Sequence, residues 1–162
     1  SWNTADGFGA ALNAFIGQNY GAGKMDRVKK GYRASLITVG VWGLFITLLF
    51  VCFPEQISGV FFHEPTAIAT AVGYMIIIGY SEAFMSVELM TVGALSGLGK
   101  THLCSVISIT LTSARIPLAI FLSGTALGLL GIWWALTATS VVKGIVFVMA
   151  FYWITARMRN SK

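Results

Sequence analysis

Charged side chains are sparse along this chain, and the gaps between them have the length of bilayer crossings. Ala34 to Phe53 holds twenty residues without a charge, with Arg33 before it and Pro54-Glu55 after it. At about 1.5 Å of rise per residue, such a helix covers roughly the 30 Å of a membrane's hydrocarbon core. The same pattern predicts five crossings, at about residues 7–23, 34–53, 66–99, 103–122 and 127–156. The first is weakly apolar and rich in small residues. Glu82 and Glu88 interrupt the third, Arg115 and Pro117 lie inside the fourth, and Lys143 interrupts the fifth. Polar breaks separate them: a basic stretch from Lys24 to Arg33, a loop holding Pro54, Glu55, His63, Glu64 and Pro65, then Lys100-Thr101-His102, and a turn at Ser123-Gly124-Thr125. The strict polar–apolar alternation of a membrane barrel is missing. The expected fold is therefore all-α, a polytopic transmembrane helix bundle forming a single domain over residues 1–162.

Composition agrees. The chain is 56% hydrophobic and 10% charged, with a mean hydropathy of +0.78. Soluble domains carry roughly 25% charged residues. Basic residues concentrate before the second segment, at Lys100 and in the tail from Arg157 to Lys162. The positive-inside rule places all three in the cytoplasm, and the acidic Pro54–Pro65 loop outside. The expectation is a multi-pass protein of the cell membrane with a cytoplasmic C-terminus. The net charge of +5 then belongs to topology, not to nucleic-acid binding. The start of the chain lacks the basic region of a secretory signal and is expected to be part of a longer protein.

Several motifs resolve into structure. Cys52 and Cys104 fall near opposite membrane faces, too far apart for a disulfide, and are expected to be free thiols without a metal or redox role. Gly17-xxx-Gly21, Gly93-xxx-Gly97 and Gly124-xxx-Gly128 place small residues one turn apart, as closely packed membrane helices require. Ala94 to Thr101 mimics a phosphate loop, but no strand precedes it and no aspartate is placed to hold magnesium. Gly97, Gly99 and Lys100 are better read as a helix end.

The four charges inside apolar segments are the sharper signal. Each costs about 2.5–3.5 kcal/mol near a bilayer centre, so Glu82, Glu88, Arg115 and Lys143 must face the bundle interior or a water-filled cavity. Glu82 and Glu88 stand about 120° apart on one helix, whereas Tyr80, Phe84 and Glu88 share a face. Two rings beside a carboxylate suit a lipophilic cation. The same glutamates could instead form structural ion pairs with Arg115 or Lys143. Asn13 and Gln18, polar groups of the first segment, either line a cavity or join helices. Pro117 is expected to kink the fourth helix.

At this point the residues resemble a family. Gly17-Gln-Asn-Tyr-Gly-Ala-Gly23 followed by Asp26-Arg27 looks like the repeat signature that closes the second helix of each lobe in multidrug and toxic compound extrusion (MATE) transporters. Gly93-Ala-Leu-Ser-Gly97-Leu-Gly99-Lys-Thr101, Arg115-Ile-Pro117-Leu118 and Gly128…Gly131-Ile-Trp133 resemble its later motifs, in order. The resemblance implies most of one six-helix lobe of a twelve-helix transporter, the C-terminal one, lacking its first helix and the N-terminal lobe. It implies no enzyme and no cofactor, but an antiporter expelling cationic, amphipathic compounds in exchange for Na⁺ or H⁺. The coupling ion would bind at Glu88 or Glu82. A flippase for lipid-linked precursors and a non-transporting membrane assembly subunit remain the alternatives.

Overall fold

The computed structural model describes residues 2–160, and the side chains of 2–158. Of the basic tail, the side chain of Arg159 and the whole of Lys162 lie outside the described residues. Seven helices follow one another among them: α1 (Trp2–Gly21), α2 (Met25–Cys52), α3 (Pro54–Phe61), α4 (Pro65–Gly79), α5 (Glu82–Gly97), α6 (Thr101–Ser123) and α7 (Leu129–Asn160). The all-α expectation holds. Three helices are long and apolar enough to cross a membrane, namely α2, α6 and α7, and the α4–α5 pair counts as a fourth if its two halves form one span. At 20 residues α1 has the length of a span but is too polar to qualify by composition.

Three boundaries differ from expectation. The 54–65 segment is not a loop: Pro54 occupies the first turn of α3, where its fixed φ favours a helix start. The basic residues Lys29, Lys30 and Arg33 belong to the first turns of α2, not to a connector. The third segment is not one helix but two, bent by 55° at Tyr80-Ser81.

That break is built from hydroxyl groups. A helix end strands its last carbonyls, and in lipid each needs a partner. Thr137 of α7 donates to the Ile77 carbonyl at 2.8 Å, Ser81 to that of Ile78 at 2.9 Å, and Thr47 of α2 to that of Gly79 at 2.9 Å. Three residues far apart in sequence thus cap one buried terminus.

α5 is the centre of the bundle, touching α1, α2, α6 and α7, while α6 rests mainly on α7. Glycines set the spacing. A Cβ at Gly97 would come within 2.6 Å of the Asn13 carbonyl oxygen, and one at Gly93 would strike the Gly9 carbonyl, so α1 lies directly on the α5 backbone. The other two glycine pairs do not pack this way: a Cβ at Gly17 would make only ordinary contact with the Gly97 carbonyl and one at Gly21 would meet nothing within 4 Å, while Gly124 follows the end of α6 and Gly128 (φ +51°) is a turn residue. The core gathers Ile16, Tyr32, Met90, Leu95, Phe147 and Phe151 from four helices. Tyr32 stacks on Phe151 with ring centroids 3.6 Å apart. Its hydroxyl meets Thr91 Oγ1 at 3.0 Å. Because the Thr91 hydroxyl already donates to the Val87 carbonyl, Tyr32 is the donor.

The α1–α2 and α5–α6 turns share one geometry. Lys24 N–H reaches back to the Asn19 carbonyl and Gly23 N–H to that of Tyr20; Lys100 N–H reaches Leu95 and Gly99 N–H reaches Ser96. Gly23 and Gly99 both adopt φ +72°. These are left-handed helix caps of the Schellman type. The phosphate-loop mimic is therefore a helix end, as its sequence context indicates.

Candidate functional site

The interior charges converge only in part. Glu88 of α5 and Lys143 of α7 form an ion pair, Oε1 to Nζ 2.6 Å, with side chains 12% and 11% exposed. Arg115 of α6 lies beside them without a carboxylate partner among the described residues. Its Nε donates to Thr139 Oγ1 at 2.8 Å and its terminal nitrogen to Ser140 Oγ at 3.2 Å. Glu88, Arg115, Ser140 and Lys143 line a cavity of about 80 Å³, closed by Met85, Leu89 and Trp2. Two cations and one anion therefore share a small polar chamber between α5, α6 and α7.

Helix geometry explains the convergence. Ser140 and Lys143 are three residues apart on α7 and Thr139 and Lys143 four apart, so all three face α5 and α6. Thr139 and Ser140 were not singled out by sequence reasoning. Their spacing from Lys143 was the available signal.

Glu82 sits elsewhere. It lies in the first turn of α5, is only 8% exposed, and has no cation within ion-pair distance among the described residues. Its burial follows from small neighbours: a Cβ at Gly43 of α2 would collide with Ala83, and one at Gly144 of α7 would come within 2.8 Å of the Phe84 carbonyl. The unpaired N–H groups of the α5 terminus favour a negative charge there.

The shared face expected for Tyr80, Phe84 and Glu88 does not exist. The helix breaks at Tyr80, which stacks on Trp134 with centroids 6.2 Å apart. Phe84 lines a separate, almost wholly apolar groove with Leu44, Val87 and Val148. Glu88 alone of the three reaches the charged chamber. Asn13 and Gln18 lie on the exposed side of α1 and line neither. α6 continues through Pro117 without ending.

The broken span, the Gly-Lys helix ends and the interior charges can be set beside known proteins. A family model, MatE, matches residues 4–121. The chain belongs to the MatE family. It is similar to a probable multidrug resistance protein NorM of Pseudomonas aeruginosa, with 30% identity over 94% of this chain and 33% of the relative. A probable multidrug resistance protein NorM of Thermotoga maritima is 26% identical over 93% of this chain and 33% of the relative. The multidrug and toxin extrusion protein 1 of Danio rerio is 21% identical over 90% of this chain and 25% of its own length. The chain thus spans a quarter to a third of these MatE relatives. It is a multi-pass membrane protein of a transporter family, and the resemblance first seen in four short motifs extends over most of its length.

Proposed function

We propose that this chain forms part of the C-terminal lobe of a drug and toxin extrusion transporter, and that the Glu88–Lys143 pair is its ion-sensitive element. The observation that carries this is the pair itself: two opposite charges, nearly buried, bridging α5 and α7 beside a broken span. Lys143 acts as a tethered cation. A proton, a sodium ion or a cationic substrate arriving at Glu88 competes with it, and release of Lys143 loosens the contact between the two helices. Transport then follows by alternating access, with substrate held between two lobes near mid-membrane. Glu82, at the start of α5 and without a cation, is the second position that could receive an ion.

The test uses the full-length protein in inverted vesicles. Efflux of an ethidium-like cation should follow an imposed Na⁺ or H⁺ gradient, and Glu88→Gln should abolish it. A purely structural pair makes the opposite forecast for the double variant Glu88→Gln/Lys143→Met: with neither charge left, efflux would return. Its failure to return, in protein that still folds, supports coupling.

A second reading has one observation in its favour. Among the described residues Arg115 has hydroxyl partners and no acid, so the chamber carries an excess positive charge that would suit a phosphate-bearing lipid precursor. A deletion strain defective in envelope synthesis but unchanged in drug sensitivity would favour that flippase.

A further inference from the structure

The face formed by the start of α6 and the end of α7 carries chemistry that transport leaves unused. A cleft of about 340 Å³ lies there, lined by Lys100, Leu103, Trp153, Ile154, Arg157 and Met158. The Arg157 guanidinium sits 5.5 Å from the centroid of the Trp153 ring, a cation–π contact that holds one charge at the rim. Lys100 supplies a second from the other helix. From Trp153 the surface continues along α7 as a groove of about 320 Å³ lined by Val146, Met149 and Ala150. Trp153 borders both, and no acidic residue lines either.

The two halves fit one molecule. From Val146 to Arg157 an α-helix rises about 16 Å, close to half of a ~30 Å hydrocarbon core and therefore to one leaflet. Among the residues lining the two grooves, positive charge stands only at the end where α7 leaves the apolar region, and a Trp at that depth is in its preferred interfacial place. Basic pockets between membrane helices attract anionic headgroups. We propose that this groove binds an anionic phospholipid: its phosphate between Lys100 and Arg157, its glycerol level at Trp153, and one acyl chain along Val146, Met149 and Ala150. The site rests on the membrane setting of α6 and α7 and not on what the protein transports.

Native mass spectrometry of the full-length protein, titrated with dioleoyl phosphatidylglycerol or dioleoyl phosphatidylcholine, tests this. The anionic lipid should bind more tightly, by roughly 30-fold if each cation contributes ~1 kcal/mol. Lys100→Gln/Arg157→Gln should erase the preference, and Lys100→Arg/Arg157→Lys should keep it, which separates lost charge from lost folding. Lys24→Gln/Lys29→Gln removes equal charge from residues that do not line the cleft and should leave the preference in place. Equal binding of both lipids by the unaltered protein overturns the proposal, as does a preference that survives loss of Lys100 and Arg157 or falls equally in the control. Glycerophosphoglycerol binding as tightly as the lipid would show that the apolar groove takes no part, and no lipid binding at all would leave the face to another protein segment.

Discussion

Removing one member of the Glu88–Lys143 pair strands the other. Glu88→Gln should cost about 3–5 kcal/mol, because it leaves an ammonium nearly buried without its counter-charge, while Glu88→Gln/Lys143→Met should cost much less. Thermal unfolding of the purified protein, with Lys143→Met alone completing a double-mutant cycle, measures the difference; a loss in the double variant equal to the sum of the two single losses would mean the two groups are not coupled. Arg115 makes a different forecast. Its Nε–Thr139 and terminal-nitrogen–Ser140 bonds need a planar fork, so Arg115→Lys keeps the charge but loses at least one bond. Reduced thermal stability with lysine in place is the expected outcome, and a stability indistinguishable from the arginine protein would contradict the bonded geometry. At this scale the sequence showed which residues matter but not how they group. A charge in an apolar run is visible by its cost, so Glu82, Glu88, Arg115 and Lys143 stood out. Glu88–Lys143 is one of the pairs those charges allow; the hydroxyl partners of Arg115 did not stand out, because a Thr or Ser in a membrane helix is ordinary until an arginine points at it. The Tyr80–Phe84–Glu88 face was mistaken because it assumed an unbroken helix.

The break between α4 and α5 shows why that assumption failed. Gly79-Tyr80-Ser81 contains no proline, and nothing local forces a bend of 55°. What ends α4 is supplied from outside it, by the hydroxyls of Thr47 and Thr137, 32 and 60 residues away from their carbonyl partners. Thr47→Val and Thr137→Val preserve shape and remove the donor. Each should cost about 1–3 kcal/mol, the penalty for an unsatisfied buried carbonyl. If both variants unfold like the parent protein, the capping account is wrong. The α1–α5 contact, by contrast, was legible in its spacing: small residues one turn apart at Gly93 and Gly97 do meet a neighbouring backbone. The Gly124–Gly128 pair has the same spacing but lies where α6 has already ended, so periodicity without a continuing helix misleads. The helix over Pro54–Phe61 was hidden for the converse reason, since two prolines and two acids between residues 54 and 65 read as a loop even where the first proline starts a helix.

For the whole molecule, burial is inverted relative to a soluble protein. α6 buries only Cys104, although its sequence is strongly apolar, and Ile109, Ile116, Ile120 and Phe121 are all exposed. Lipid, or the remainder of a longer protein, must cover that surface. The positive charges then define which way the bundle stands. Lys24, Lys29, Lys30 and Arg33 share one end with Lys100 and Arg157, while Glu55 in the first turn of α3 and His63 and Glu64 in the α3–α4 connection lie at the other. A bundle placed by the positive-inside rule has the first group in the cytoplasm. Both Lys24 and Glu64 are exposed and lie between helices, so a cysteine at either should react without disturbing the core. In the full-length protein, with Cys52 and Cys104 replaced by serine, a membrane-impermeant maleimide should label Glu64→Cys in intact cells. It should reach Lys24→Cys only after the membrane is opened. Labelling of Lys24→Cys in intact cells, with Glu64→Cys protected, would invert the bundle, put the Arg157 end of α7 outside, and require the ion pair between α5 and α7 to be loaded from the other face.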